Sequence, residues 1–156
     1  MISSLTRLST AFQPLLAPYL PPLLRLLSRT NKLYISRTLT TLRAIIRNTR
    51  IPEILRYITA EWKAEGGKSA SFRIAASEII LDCLGAGKGV VLEREALDRK
   101  YVEEIEWVVR IAATDKEVKV RALVKVIWEL YQQEWPERVS KFVLSPSLCS
   151  SLIIIL

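Results

Sequence analysis

The sequence predicts an all-α protein, an α-α superhelix of stacked helical hairpins, and three observations support this class. Apolar residues recur every three or four positions along most of the chain, the spacing that places side chains on one face of an α-helix. Short polar turns separate these periodic stretches, so neighbouring helices are expected to pair as antiparallel hairpins. Signals for strands are almost absent. Because one hairpin leaves its apolar stripe uncovered, successive hairpins must stack on one another.

The pattern is clearest in residues 20–58, where three apolar stripes follow each other. They consist of Leu20, Leu23 and Leu27, then Ile35, Leu39, Leu42 and Ile46, then Ile51, Leu55 and Ile58. Residues 28–32 are polar and form the turn between the first two stripes. The spacing predicts a helix over 14–28, started or kinked by its prolines, and a second helix over 32–49.

Further helices are expected on both sides of this stretch. They cover residues 2–12, 52–64, 70–84 with Ser69 as N-cap, and 94–113, followed by a helix after a capping box from Thr114 to Glu117 and a short helix that begins at Pro136. The glycine-rich residues 85–93 read as the longest connection. The prediction is about three hairpins with a partial repeat at each end. Its repeat lengths are similar to those of HEAT or armadillo units, ~40 to 47 residues.

Length and composition favour one globular domain. The chain has 156 residues, half of them apolar, with five glycines and seven prolines, enough to bury a sizeable core. Residues 1–143 are predicted to form this domain, and residues 144–156 an irregular apolar tail that a truncation or a misjoined reading frame would explain. No apolar run reaches the ~18 to 20 residues that a membrane-spanning helix needs, so a membrane protein is not expected.

The positive charge is concentrated at the start of the chain. Residues 1–52 carry eight basic residues and no acidic residue, whereas the other 104 positions hold 15 basic and 16 acidic residues, giving a net charge of +7. An Arg-rich, acid-free amino terminus with Ser and Thr is also typical of an organellar transit peptide. Against that alternative, the helical register continues without a break from Leu23 into the predicted hairpins.

The sequence offers little for catalysis, and no enzyme and no cofactor are predicted. The absence of histidine removes His-based triads, most zinc sites and the usual general base near neutral pH. Gly67, Lys68 and Ser69 resemble the end of a phosphate loop, but Trp62 stands where its first glycine belongs and a helix precedes it. Cys83 lies on an apolar stripe and is predicted to be a buried free thiol.

The remaining candidate is a binding surface. In stacked hairpins the turns inside each hairpin line up along one edge, and here these turns are basic. Such an edge would attract an acidic protein surface rather than nucleic acid or a membrane. The alternative, ordinary solvated loop lysines, has equal support from charge alone. Arg121, six residues after Asp115, suits a structural carboxylate–guanidinium link between repeats, and Arg73 has a similar placement.

Several motifs resemble the later HEAT repeats of a TOG domain of the CLASP family of microtubule-associated proteins, especially the fungal members. They are the RTNK turn at 29–32, the I-I-x-x-T-x-x-P junction at 45–52, the K-S-x-x-x-R start at 68–73, the D-x-x-x-x-V-R run at 115–121 and the W-P-E-R turn at 135–138. The resemblance covers about residues 10–143. Each motif alone is only a HEAT signature.

The resemblance implies a non-catalytic module that binds tubulin or microtubules through the turns inside its repeats. The residues expected to do so are Asn31, Lys32, Lys68, Lys116 and, more weakly, Lys119. It also implies a place in the cytoplasm and cytoskeleton, including the spindle, with the nucleus as a further location. The chain departs from the family in starting inside the third repeat, so the repeat that supplies the leading aromatic contact to tubulin is missing. The alternative is a generic HEAT-repeat scaffold that docks an acidic partner.

Overall fold

The computed structural model describes residues 17–143, except 65, 86–91, 93, 94, 96, 98 and 99. Within these residues it contains helices, turns and no strand, so the predicted all-α class is confirmed. The α-helices are α1 (Leu20–Leu26), α2 (Lys32–Thr49), α3 (Ile54–Lys63), α4 (Ala70–Cys83), α5 (Val102–Ala112), α6 (Val118–Glu134) and α7 (Pro136–Val143). A 3-10 turn, Gly66–Lys68, lies between α3 and α4.

The helices form two layers of three. α1 contacts α3 and α3 contacts α5, while α2 contacts α4 and α4 contacts α6. Contacts between α1 and α2, between α3 and α4, and between α5 and α6 join the layers. The result is a stack of three helical hairpins, consistent with an α-helical repeat, with α7 packed on α6 at one end.

Local chemistry accounts for several helix starts. Pro21 and Pro22 lie at the beginning of α1, where a missing N–H removes no helical hydrogen bond. Asn31 caps α2, because its side-chain oxygen accepts a hydrogen bond from the Leu33 backbone N–H at 2.9 Å. Ser69 caps α4 in the same way through the Phe72 N–H, as predicted.

Other predicted boundaries were wrong or lie outside the described residues. The helix expected over 14–28 is helical only at Leu20–Leu26 within the described part, because residues 17–19 and 27–28 are turns. Tyr101, with φ of −123° and ψ of −9°, interrupts the helix expected over 94–113. The capping box is absent, since Glu117 is the N-cap of α6 and makes no side-chain cap. The helix predicted over 2–12 and the irregular tail predicted over 144–156 lie outside the described residues.

The apolar stripes meet between the layers. Leu24, Leu42, Ile58 and Ile79 are fully buried there, and the buried residues form one connected core that runs from α1 to α7. Cys83 belongs to this core as a free thiol, which confirms that prediction. The core thus holds the three hairpins in register and fixes the position of the turns that join their helices.

Candidate protein-binding edge

The turns inside the three hairpins lie next to one another. The Ser69 hydroxyl of the second turn donates a hydrogen bond of 3.5 Å to the Ser28 carbonyl of the first. Arg73, at the start of α4, donates to the Gly67 carbonyl of the second turn at 2.8 Å and reaches Asp115 of the third. We call turns 27–31, 66–69 and 113–117, with the first two residues of the helices that follow, the turn edge.

Arg73 and Asp115 connect the second and third hairpins at this edge. Arg73 Nε donates to Asp115 Oδ2 at 2.6 Å and its Nη2 to Oδ1 at 3.0 Å, the bidentate geometry in which guanidinium and carboxylate bind most strongly. Both side chains are largely buried, at 15% and 8% exposure. Asp115 Oδ1 also accepts from the Glu117 N–H and so replaces the expected capping box.

The predicted partner of Asp115 was wrong in one respect. Arg121 donates to the backbone carbonyls of Asp115 and Lys116, at 2.6 and 3.2 Å, and not to the Asp115 carboxylate. The link between repeats comes from Arg73, forty-two residues away in sequence. Arg121 instead closes the third turn onto the start of α6 and helps to fix the backbone at Lys116.

Glycines determine the shape of the second turn. A Cβ atom on Gly67 would lie 2.0 Å from the Trp62 carbonyl oxygen, and one on Gly66 would lie 2.9 Å from the Glu61 carbonyl oxygen. No larger residue fits at Gly67 without moving backbone. The Gly-Gly-Lys sequence therefore permits a close approach of the backbone in this turn.

All five predicted site residues lie on the turn edge, and all five are exposed. Lys32, Lys68 and Lys116 each come from a different turn, so the structure brings together three cations that are far apart in sequence. The Asn31 side-chain oxygen is engaged in capping α2. Lys119 Nζ lies 3.1 Å from Glu78 Oε1 on α4, so its charge is shared with that carboxylate.

The neighbouring cation Lys63 is directed away from this row. Its Nζ lies 4.6 Å from the centre of the Trp107 ring, over the ring face, in a cation–π contact with α5. Its charge instead supports packing between the second and third hairpins.

A charged network that the sequence did not predict lies on the layer of α2, α4 and α6. Arg43 Nε donates to Asp82 Oδ2 at 2.6 Å and its Nη2 to Glu78 Oε2 at 3.4 Å, and Glu78 also pairs with Lys119. The three helices are therefore tied by alternating charges. The spacing of Glu78 and Asp82 by one helical turn is the only local signal for this network.

The titratable groups with shifted pKa values lie away from the turn edge. Burial, with a smaller effect of the nearby Asp82 carboxylate, raises the pKa of the Cys83 thiol to about 12. Burial and a hydrogen bond with Glu53 raise the pKa of Tyr101 to about 12. Both groups are therefore uncharged near neutral pH, and neither provides an activated nucleophile there.

Two further searches cover only the residues that the structure describes. Among them, no group of three or more acidic or cysteine side chains is placed to hold a metal ion. In the same residues, no helix combines the length and the apolar character needed to cross a membrane. The turn edge is the surface whose geometry, as described above, suggests that it binds a partner.

Comparison with protein-family models and with curated proteins finds no match to this chain. A functional assignment therefore depends on the geometry of the turn edge and on the motifs quoted above.

Proposed function

We propose that the three hairpins are HEAT repeats of a partial TOG domain and that the turn edge binds tubulin or microtubules without catalysis. The observation that carries this proposal is that the exposed Lys32, Lys68 and Lys116 lie in or directly after three neighbouring turns, with the exposed Arg29 also in the first turn. Their turns are connected by the hydrogen bonds of Ser69 and Arg73. The cytoskeleton, including the spindle, would be the site of action, with the nucleus as a further location.

A row of lysines acts on a partner through long-range attraction and orientation. Opposite charges on the two surfaces raise the rate of encounter and select one docking direction, and salt weakens the effect over a Debye length of ~8 to 10 Å. The surface of tubulin would have to present carboxylates at matching positions. Binding should therefore fall as salt rises from low to physiological concentration.

The five residues are expected to contribute unequally. Lys119 already shares its charge with Glu78 at 3.1 Å, so it should add less than Lys116. Asn31 supports the site through its backbone cap as well as through its free amide group. Replacement by Ala would cost ~1 kcal/mol of stability, whereas Asn31→Ser keeps a capping hydroxyl and tests the amide alone.

The main test is co-sedimentation of the full chain with microtubules after reversing charge at Lys32, Lys68 and Lys116 together. We expect the triple variant to lose most of its binding at low salt and to keep its helix content, as measured by circular dichroism. A substitution at an exposed position of this kind changes the free energy of unfolding by no more than about 0.5 kcal/mol.

The matched control reverses Arg37, Arg47 and Lys125, which are exposed on α2 and α6 away from the turns. Arg43 is unsuitable as a control, because its 2.6 Å pair with Asp82 would be broken. The control triple changes net charge by the same amount and should retain most binding. Equal losses in both variants would show that only net positive charge attracts the protein to microtubules, and the turn edge would have to be abandoned as the site.

The second candidate function is a HEAT scaffold that docks another acidic protein through the same edge. It is favoured by the absence of aromatic side chains among the described residues of the turn edge, whose exposed side chains include the lysines and the aliphatic Leu33 and Val118. Microtubules from which the acidic tails have been removed separate the two candidates. Binding that persists without the tails and depends on the three lysines supports a tubulin site, and complete loss favours a general acid-binding surface.

A further inference from the structure

The first hairpin carries an apolar groove that is lined by residues of α1, of the turn before it and of α2. Tyr19, Pro22, Leu23, Leu26 and Ile45 line it, and its cavity volume is about 510 Å³. This lies within the ~300 to 1,000 Å³ range of ligand-binding pockets in proteins. Tyr19 is 64% exposed despite its size. The groove is therefore large enough to receive several apolar side chains.

A further exposed aromatic side chain lies on α2. Tyr34 precedes Ile45 by eleven residues, about three helical turns, so both lie on the same face of that helix. Tyr34 is 57% exposed. We call the five lining residues together with Tyr34 the end groove. Apolar residues that line one groove mark an interaction site more often than single exposed apolar residues do.

The hairpin that carries the end groove is entirely cationic. Residues 17–50 hold seven basic residues and no carboxylate: Arg25, Arg29, Lys32, Arg37, Arg43, Arg47 and Arg50. Arg37 lies one turn from Tyr34 on the same side of α2, is exposed, and forms no ion pair with any residue the structure describes. The apolar lining of the groove therefore belongs to a hairpin whose positive charges have no carboxylate within the hairpin itself.

From this combination we infer that the end groove binds an amphipathic helix of a partner protein, with glutamates or aspartates beside its apolar stripe. Helices bind in grooves through apolar residues at positions i, i+3 or i+4 and i+7, and flanking charges select the partner. A second copy of the chain, bound through the same groove, would bring together two hairpins that carry basic residues and no carboxylate. Residues 1–16 carry Arg7 and no carboxylate, so they offer no charge complementarity either.

The test measures fluorescence anisotropy of labelled synthetic helical peptides with the full chain. One peptide has leucine at alternating third and fourth positions with flanking glutamates, the second has lysine in place of glutamate, and the third scrambles the first. We expect the acidic amphipathic peptide to bind at least about tenfold more tightly than either of the others. It alone offers both an apolar stripe for the end groove and carboxylates for the basic residues of the hairpin.

Variants of exposed residues locate the binding site without disturbing the core. Tyr19→Glu combined with Tyr34→Glu should weaken acidic-peptide binding at least about tenfold. Arg37→Glu should weaken the acidic peptide and strengthen the lysine peptide. The control Lys116→Glu makes the same charge change on the turn edge and should leave peptide binding within about twofold, so this inference can fail independently of the proposed function.

Four results would overturn the inference. They are equal binding of the acidic and lysine peptides, absence of binding, and acidic-peptide binding that is indifferent to the tyrosine variants. The fourth is another occupant of the groove. Self-association in analytical ultracentrifugation that Tyr34→Glu abolishes would identify a second copy, and a gain in peptide affinity from Leu5→Glu with Leu8→Glu would identify the chain's own amino terminus.

Discussion

The two ends of the hairpin stack share one architecture and differ in how their apolar faces are covered. At the carboxyl end, Phe142 of α7 packs against Trp128 and Tyr131 with ring centroids 5.5 and 5.8 Å apart, and it is 4% exposed. At the amino end, Tyr19 and Tyr34 remain more than half exposed. An added helix covers apolar surface at one end, whereas two large aromatic side chains are mostly exposed at the other.

The links between hairpins show the same asymmetry. Arg73 and Asp115 join the second and third hairpins through a pair that is mostly buried. The first hairpin is joined by the half-exposed pair of Arg43 with Asp82 and by a contact of 3.7 Å between Arg25 and Glu61. Since exposed pairs contribute little to stability, the first hairpin should open before the others.

The largest expected effect compares one aromatic residue from each end. Phe142→Ala should lower the free energy of unfolding by ~3 to 5 kcal/mol, because a buried ring is lost from the aromatic cluster. Tyr34→Ala should change it by no more than about 0.5 kcal/mol. Urea unfolding followed by circular dichroism measures both. A large loss from Tyr34→Ala would mean that the amino end is covered after all.

The next effect compares the charged links. Asp115→Ala should cost ~3 kcal/mol, because it leaves the largely buried Arg73 guanidinium without its carboxylate. Asp82→Ala removes a partner from the more exposed Arg43 and should cost at most ~1 kcal/mol. Thermal unfolding of both variants gives the ranking. If the two costs were equal, the first hairpin would be held as firmly as the third.

The third effect is absent near neutral pH and appears only at alkaline pH. Cys83 and Tyr101 have folded-state pKa values raised to about 12, from ordinary values of 9.0 and 10.0. Their contribution to stability is complete below the ordinary pKa values and is lost as pH rises through 12. The free energy of unfolding should therefore fall between about pH 9 and 12, by up to ~1.4 kcal/mol per pH unit for each group.

Urea titrations at several pH values measure this slope, and tyrosine variants assign it. Tyr101→Phe should make the decline shallower above pH 10, whereas Tyr34→Phe, at the exposed end, should leave it unchanged. An identical slope in the parent protein and in Tyr101→Phe would contradict the assignment.

Periodicity predicted most of the helices and many buried positions, because the spacing of Leu42 and Ile46 reflects one helical face, but it missed the bounds of α1 and the break at Tyr101. The N-cap Ser69 and the buried Cys83 were equally visible in local sequence. The pairing of Arg73 with Asp115 was not, since it joins residues forty-two positions apart that only the stacking brings together. The end groove could not be predicted either. A sequence identifies an apolar stripe, but it does not show whether another helix covers that stripe.

The close approach of Gly67 to the Trp62 carbonyl also bears on the entropy of binding. A turn that accommodates no side chain at this position, and whose Gly67 carbonyl is held by Arg73 at 2.8 Å, has few alternative backbone conformations. If the turn edge is the binding site, Lys68 would meet a partner with its backbone already ordered, and association would restrict mainly its side chain, at ~0.5 to 1.5 kcal/mol. Replacing Gly67 would act on affinity through chain disorder in the unbound protein, even with every lysine in place.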